Sequence, residues 1–310
     1  MAGPRLRPRT TEIQFGERLT PLGNLVRSVL TSGPAIGWVT IFLLLPLLGI
    51  LLFSVLTRGP YGEVALPFTV GNYLRLAGFG LFGFDPQYPV IILRSLLLAA
   101  GTTLVCVLAA FPLAFFIAGL PGRAKQIALT LVVIPFWTNL LIRTYAWQIL
   151  FAPDAAITRA AAAVGLAEEG MPLYPSTLAV TVGMLAAYLP FLVLPLYTSV
   201  EKIDWTIAEA ASDLGADGPR VFRHAILPQV MPGMVAGMIL VFIPATGQFV
   251  IPDLLGGAKT VMLGNAIQQQ FGASRDWPFG SAIALVAMGV VLVGLWLQTR
   301  YASQGEGGPL

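Results

Sequence analysis

Ser95 to Gly122 reads SLLLAAGTTLVCVLAAFPLAFFIAGLPG, 28 residues between Arg94 and Arg123 with no charged side chain among them. About 20 apolar residues suffice to carry a helix across roughly 30 Å of hydrocarbon. An ionised side chain at the bilayer centre costs about 2.5 to 3.5 kcal/mol on insertion scales, so a charge-free run of this length is a membrane span. Five more gaps between charges have the same character. Arg27 to Arg58 encloses 30 residues, Lys125 to Asp154 encloses 28 interrupted only by Arg143, and Glu169 to Glu201 encloses 31. Arg223 to Asp253 encloses 29, including His224, and Asp276 to Arg300 encloses 23. The sequence therefore predicts an all-α integral membrane protein with six transmembrane helices, their cores near 36–56, 95–118, 127–150, 177–199, 230–252 and 280–299.

Composition agrees with that reading. Of 310 residues, 56% are hydrophobic and 11% charged, against about 25% charged in soluble globular proteins. This excludes a water-soluble fold and intrinsic disorder. A net charge of +3 is too small for a nucleic-acid surface. Cys106 is the only cysteine and His224 the only histidine, so neither an internal disulfide nor a Cys/His zinc cluster is expected.

Alternate loops differ in Lys and Arg. One side receives eleven: Arg5, Arg7, Arg9, Arg18, Arg27, Arg123, Lys125, Lys202, Arg220, Arg223 and Arg300. The other receives five, Arg58, Arg75, Arg159, Lys259 and Arg275, with Arg94 at a helix edge. The positive-inside bias places both termini in the cytoplasm, in agreement with an even number of spans, which puts them on one side. The first apolar stretch is too long for a signal-peptide core and lacks a small-residue cleavage site, so it reads as a retained helix. The expected organisation is a mobile cytoplasmic segment 1–32, a transmembrane domain 33–301 and a mobile cytoplasmic tail 302–310.

Pro46, Pro112, Pro135, Pro190, Pro195, Pro232 and Pro244 fall inside the spans. Each removes a backbone hydrogen bond and can kink its helix. Taken singly, each fits the general abundance of proline in membrane helices; seven together favour a transporter whose path is lined by broken helices. Gly233 and Gly237 form a G-x-x-x-G that lets a neighbouring backbone approach, with packing inside the subunit the simpler reading. Arg143 is the one charge well inside a span, within WTNLLIRTYAW at Trp137 to Trp147. Two roles stand for it: contact with substrate or gate, or snorkelling and pairing with a buried carbonyl or acid.

The most charged loop runs from Glu201 to Pro228, EKIDWTIAEAASDLGADGPRVFRHAILP, on the side read as cytoplasmic. Asp204 is placed to cap a helix starting at Trp205. Trp205, Ile207, Ala208, Ala211 and Leu214 give that helix an apolar side, and Gly215 supplies a residue able to take φ > 0 at its end. Asp217 or Gly218 with Pro219 then opens a second short helix to about His224. The pair makes a small knob suited to docking against another protein or, alternatively, to lying on lipid.

Glu209-Ala210-Ala211, three residues, Gly215 and then Ile226-Leu227-Pro228 resemble the EAA loop of ABC importer permeases, although the family's isoleucine register falls here on Ala225. PFWTNLLIRTYAW at Pro135 to Trp147, DLLGGAK at Asp253 to Lys259 and RDWPFG at Arg275 to Gly280 resemble the spermidine/putrescine permease subfamily, first-subunit type. The resemblance covers about Ile36 to Arg300. It implies a six-helix permease of a bacterial inner membrane that pairs with a second, similar permease. It further implies two copies of a cytoplasmic ATPase, which bind the ATP and Mg²⁺, and an extracytoplasmic solute-binding protein. By the same resemblance Glu209, Ala210, Ala211, Asp213, Gly215 and Pro228 belong to the surface that couples to the ATPase.

The chain itself carries no G-x-x-x-x-G-K-[ST] phosphate loop, so ATP hydrolysis falls to the partner and this subunit is read as non-catalytic with no cofactor of its own. For the solute, a polyamine wants carboxylates and aromatic faces. The spans offer no acid; Asp253 at the outer end of the fifth is the nearest, and Trp137, Tyr145 and Trp147 could supply π-faces, although a role as packing or interfacial aromatics is the simpler reading of each. Arg143 would repel a polycation. Trp137, Arg143, Tyr145 and Asp253 are therefore the candidate path or gate residues. Polyamine stands first through the resemblance, with related amines, opines or amino-acid-like solutes open. The rival classes are an ion-coupled secondary transporter, which should show intramembrane acids or repeats, and a non-transporting scaffold.

Overall fold

The computed structural model describes residues 31–80, 83–165, 168 and 170–305; the N-terminal segment through residue 30 and residues 306–310 lie outside the described residues. The chain divides into two compact units, 1–49 and 50–310. Most of helix α1, Thr31–Ser54, belongs to the first. It widens to a π turn at Thr40–Leu44, beside which Trp38 stacks on Phe42 with ring centroids 4.3 Å apart. That wider turn relieves the clash between the Pro46 ring and the carbonyl four residues back, so the helix continues through its proline.

The second unit opens with an antiparallel hairpin, β1 Leu56–Arg58 and β2 Val64–Phe68, then helix α2 Gly71–Leu76 and a smaller hairpin, β3 Phe79–Gly80 and β4 Gly83–Phe84. Helix α3 spans Gln87–Ala118. Helices α4, Gly122–Trp137, and α5, Leu140–Leu150, meet at 96°. After α6, Ala156–Ala163, come α7, Thr177–Glu201, and α8, Trp205–Asp213. Helix α9 runs Gly218–Thr246, and α10, Leu263–Phe271, precedes α11, Trp277–Gly305. Among the described residues five helices are long and apolar enough to cross a membrane, and there are six spans when the bent α4–α5 pair is counted as one.

Four of the expectations for the spans need correction. The span expected at 127–150 is two helices. The chain breaks after Pro135 because the next residues offer better partners than a continued helix: Thr138 Oγ1 donates to Pro135 O at 2.6 Å, and Asn139 Oδ1 accepts from Leu141 N at 2.8 Å, capping α5. The span expected at 230–252 begins earlier and ends at Thr246, where Gly247 ends the helix and Gln248 Oε1 takes the amides of Phe249 and Val250 at 3.0 and 3.2 Å. The expected series of proline-broken helices reduces to one break, since Pro112, Pro190, Pro195, Pro232 and Pro244 all sit inside helices that continue. Helix α11 also runs on past Arg300 to Gly305.

The core is the packing of α7 against α3 and α9. Along α3, Ala99, Cys106, Ala110 and Ala114 form a buried stripe of small side chains at four- and seven-residue steps. Small residues let helix backbones approach where lipid gives no hydrophobic drive for association. On α9, a Cβ at Gly233 would collide with Pro195 O and Ser199 of α7, and one at Gly237 would lie 3.0 Å from Leu192 Cα. The G-x-x-x-G thus packs inside the subunit. A second cluster, Leu76, Ile91, Leu263, Phe279 and Ile283, joins α2, α3, α10 and α11 at the end opposite α8. There Asp276 caps α11 by accepting from Phe279 N at 3.2 Å and pairs with Arg75 at 2.8 Å.

Candidate functional site

The knob after α7 is built by capping. Asp204 Oδ1 accepts from Thr206 Oγ1 at 2.6 Å and from Thr206 N at 3.0 Å, closing the first turn of α8. These two bonds, the hydroxyl first, hold the Asp204 carboxyl below its ordinary range. At the other end Gly215 sits at φ +83°. Its N–H donates to Ser212 O at 2.9 Å while Ala216 N donates to Ala211 O at 3.1 Å, the pair of bonds of a Schellman cap. A Cβ at Gly215 would meet open space, so the demand for glycine is conformational.

Asp217 Oδ1 accepts from Arg220 N at 3.2 Å and starts α9. The expected separate second short helix is absent: the chain passes from Gly218 through a π turn at Phe222–Ile226 into the long helix without interruption. This wider turn accommodates Pro228 as the earlier one accommodates Pro46. Ala208, Val221 and Ala225 bury one another, with Ala211, Ala216 and Ile226 against them. Ala225, where the motif's isoleucine register falls, is thus a core residue of the knob, and its small size brings the two helices together.

Sequence reasoning missed Gln229. Its Oε1 accepts from Asp204 N at 2.8 Å and its Nε2 donates to Ala225 O at 2.8 Å, clamping the start of α8 onto α9. The available signal was a lone amide directly after Leu227-Pro228 at the head of an apolar helix. The expected apolar side of α8 is only partly buried: Ala208 turns inward, whereas Trp205 and Ile207 are about half exposed and Leu214 is 90% exposed. Glu209, Ala210, Asp213 and Pro228 are exposed as well. Near this end Lys125 at the start of α4 pairs with Glu201 at the end of α7 at 3.1 Å.

The candidate path residues are not brought together. Arg143 lies on α5, beyond the break, and its NH1 donates to Pro135 O at 2.8 Å, satisfying a carbonyl at the break. With Leu131, Trp147, Leu189 and Pro190 it lines a largely apolar cavity of about 460 Å³. Trp137 is 82% exposed and Tyr145 half exposed, and neither lines that cavity. Asp253 lies apart, in a separate pocket with Gln268 and Gln269.

Residues 110–303 match the family of binding-protein-dependent transport system inner membrane components. The chain belongs to that family. This permease is 39% identical over 268 residues to the spermidine/putrescine transport system permease protein PotB of Escherichia coli K12, covering 86% of this chain and 95% of the relative. It is 38% identical over 249 residues to PotB of Haemophilus influenzae, covering 80% and 85%. The inner membrane ABC transporter permease protein YdcU of E. coli is 31% identical over 258 residues, with 79% and 81% covered. In fold the permease is similar to a chain of a bacterial alginate ABC transporter crystallised with an alginate pentasaccharide-bound periplasmic protein. The TM-score is 0.67 at 14% identity, covering 93% of this chain and 98% of the other. The all-α permease fold, the inner-membrane location and the role of ABC importer membrane subunit therefore hold for this chain.

Proposed function

We propose that this permease is one half of the translocation pathway of an ATP-driven polyamine importer. It works beside a second permease, is driven by a cytoplasmic ATPase dimer that binds ATP and Mg²⁺, and is supplied by an extracytoplasmic binding protein. The observation that carries the mechanism is the continuity of the knob with α9: α8 is clamped by Gln229 to a helix that runs 29 residues through its own prolines. Displacement of Glu209, Ala210, Ala211, Asp213 and Gly215 by ATPase closure moves α9, and the Gly233–Gly237 contact carries α7 with it. The exposed Leu214 and Trp205 supply apolar area for an ATPase cleft to bury. The excess of Lys and Arg on the knob side supports a cytoplasmic knob and cytoplasmic termini. Similarity to the PotB relatives supports spermidine and putrescine as the solute class.

Co-expression with its ATPase, second permease and binding protein, followed by reconstitution into vesicles, tests this reading. ATP-dependent uptake of radiolabelled spermidine or putrescine is the expected result, and an assembled complex that imports neither overturns the solute. Gly215→Val forces a β-branched residue to positive φ at a cost of about 1 to 2 kcal/mol, and a shift of 1.4 kcal/mol corresponds to a tenfold change in rate. Uptake should fall by about that factor in a complex that still assembles. Unaltered uptake, or ATP hydrolysis by the isolated chain, refutes the coupling role.

A further inference from the structure

At the end opposite the knob, a pocket of about 350 Å³ opens between the turn Pro252–Gly256 and α10, lined by Asp253, Gly257, Asn265, Gln268 and Gln269 among others. Asp253, Gln268 and Gln269 make no side-chain hydrogen bond or ion pair among the described residues. Three other acids at this end already have partners. Asp276 holds Arg75 and caps α11, Glu63 accepts from Tyr61 N at 3.0 Å, and Asp85 accepts from Gln87 N at 3.0 Å. Asp154 shares its own cavity with Arg159, which opposes a cation.

The pocket walls are fixed while its acceptors stay free. Asn265 acts as a staple: its Oδ1 accepts from Met262 N at 3.1 Å and its Nδ2 donates to Phe249 O at 2.9 Å. Leu263 N donates to Ser95 Oγ at 2.7 Å, which anchors α10 on α3. The turn that carries Asp253 is held from two sides, by Gln148 Nε2 on Leu254 O at 2.6 Å and by Ser176 N on Leu255 O at 3.0 Å. A carboxylate and two amide oxygens without partners, lining one pocket, can between them accept the three N–H donors of one alkylammonium group.

We infer that Asp253, with Gln268 and Gln269, forms a receiving site for one ammonium end of an aliphatic amine at the outer mouth of the pathway. The inference rests on the polyamine reading above and adds to it where on this chain the cation is first held. The pocket is open and Asp253, Gln268 and Gln269 are exposed, so the pairing is of rim strength and salt-sensitive. Its short reach suits one end of the molecule, leaving the remaining amines for other surfaces.

The test is equilibrium binding of radiolabelled spermidine to the assembled complex of both permeases and the ATPase in nanodiscs, without binding protein. Size-exclusion profiles check assembly. Asp253→Asn should weaken binding by about five- to tenfold, the tenfold limit corresponding to about 1.4 kcal/mol, and the loss should shrink in high salt. Gln269→Glu adds a second carboxylate and should tighten binding about threefold; it keeps the question answerable if Asp253→Asn fails to assemble. Unchanged binding in both variants, or a wild-type complex that imports polyamine yet binds none in nanodiscs, overturns the receiving site and leaves the polyamine reading standing. A wild-type complex that imports no polyamine overturns that reading, and this site with it.

Discussion

The α7–α9 pair and the α4–α5 pair handle proline in opposite ways. Helices α7 and α9 hold Pro190, Pro195, Pro232 and Pro244 and stay continuous, while α4–α5 holds Pro135 and bends by 96°. Proline alone is therefore not what breaks a span here. In α7 and α9 the prolines lie in helices whose small residues are pressed against a neighbour, and leaving the helix would open that contact. After Pro135, by contrast, Thr138, Asn139 and Arg143 offer the freed backbone groups new partners, and much of the segment is exposed. A span breaks where the lost hydrogen bonds have somewhere else to go.

The largest expected effect lies on the packed side of this comparison. Gly233→Leu drives a branched side chain into Pro195 O and Ser199, and overpacking of this kind costs about 1 to 3 kcal/mol or more. The expected outcome is loss of assembled permease in detergent, read by size-exclusion chromatography and thermal unfolding; normal assembly would show that the α7–α9 contact is looser than described. A smaller effect is expected at the break. Asn139→Ala removes the α5 cap at a cost of about 1 kcal/mol, and should raise hydrogen exchange over residues 138–143 while leaving α7 and α9 unchanged. If exchange stays flat, the cap does not hold the bend. The smallest effect belongs to the knob. The Asp204 carboxyl is held below its ordinary value of 3.8, so the capping contribution is complete above about pH 4 and is lost as pH falls through the lower folded value. Exchange at the Thr206 amide should rise on that acidification, and Asp204→Ala should show the raised exchange already at neutral pH.

Spacing between charges made the number of spans legible, because the cost of a charge in hydrocarbon is large and local. The knob was legible for a related reason: Asp204, Gly215 and Asp217 are caps whose effect reaches only a few residues. Where the reading fell short, the deciding partner was distant or the signal was shared. Thr138-Asn139 is a capping signal hidden inside an apolar run, so Pro135 looked like its six fellow prolines. The π turn before Pro228 has no composition of its own, and α9 accordingly read as two helices. Gln229 and Asn265 act on backbone atoms 25 and 16 residues away, respectively, contacts that no local periodicity announces. For Arg143 the two open roles are now unequal in what they rest on, since a carbonyl at the break accepts its guanidinium.

Helix α9 is some 40 Å long by the usual rise per residue, tied to the start of α8 through Gln229 and lying flush along α7 at its waist. On the proposed coupling, rocking at its base would be passed along the helix to Thr246, beside the turn that bears Asp253, so its two ends would move together rather than one after a delay.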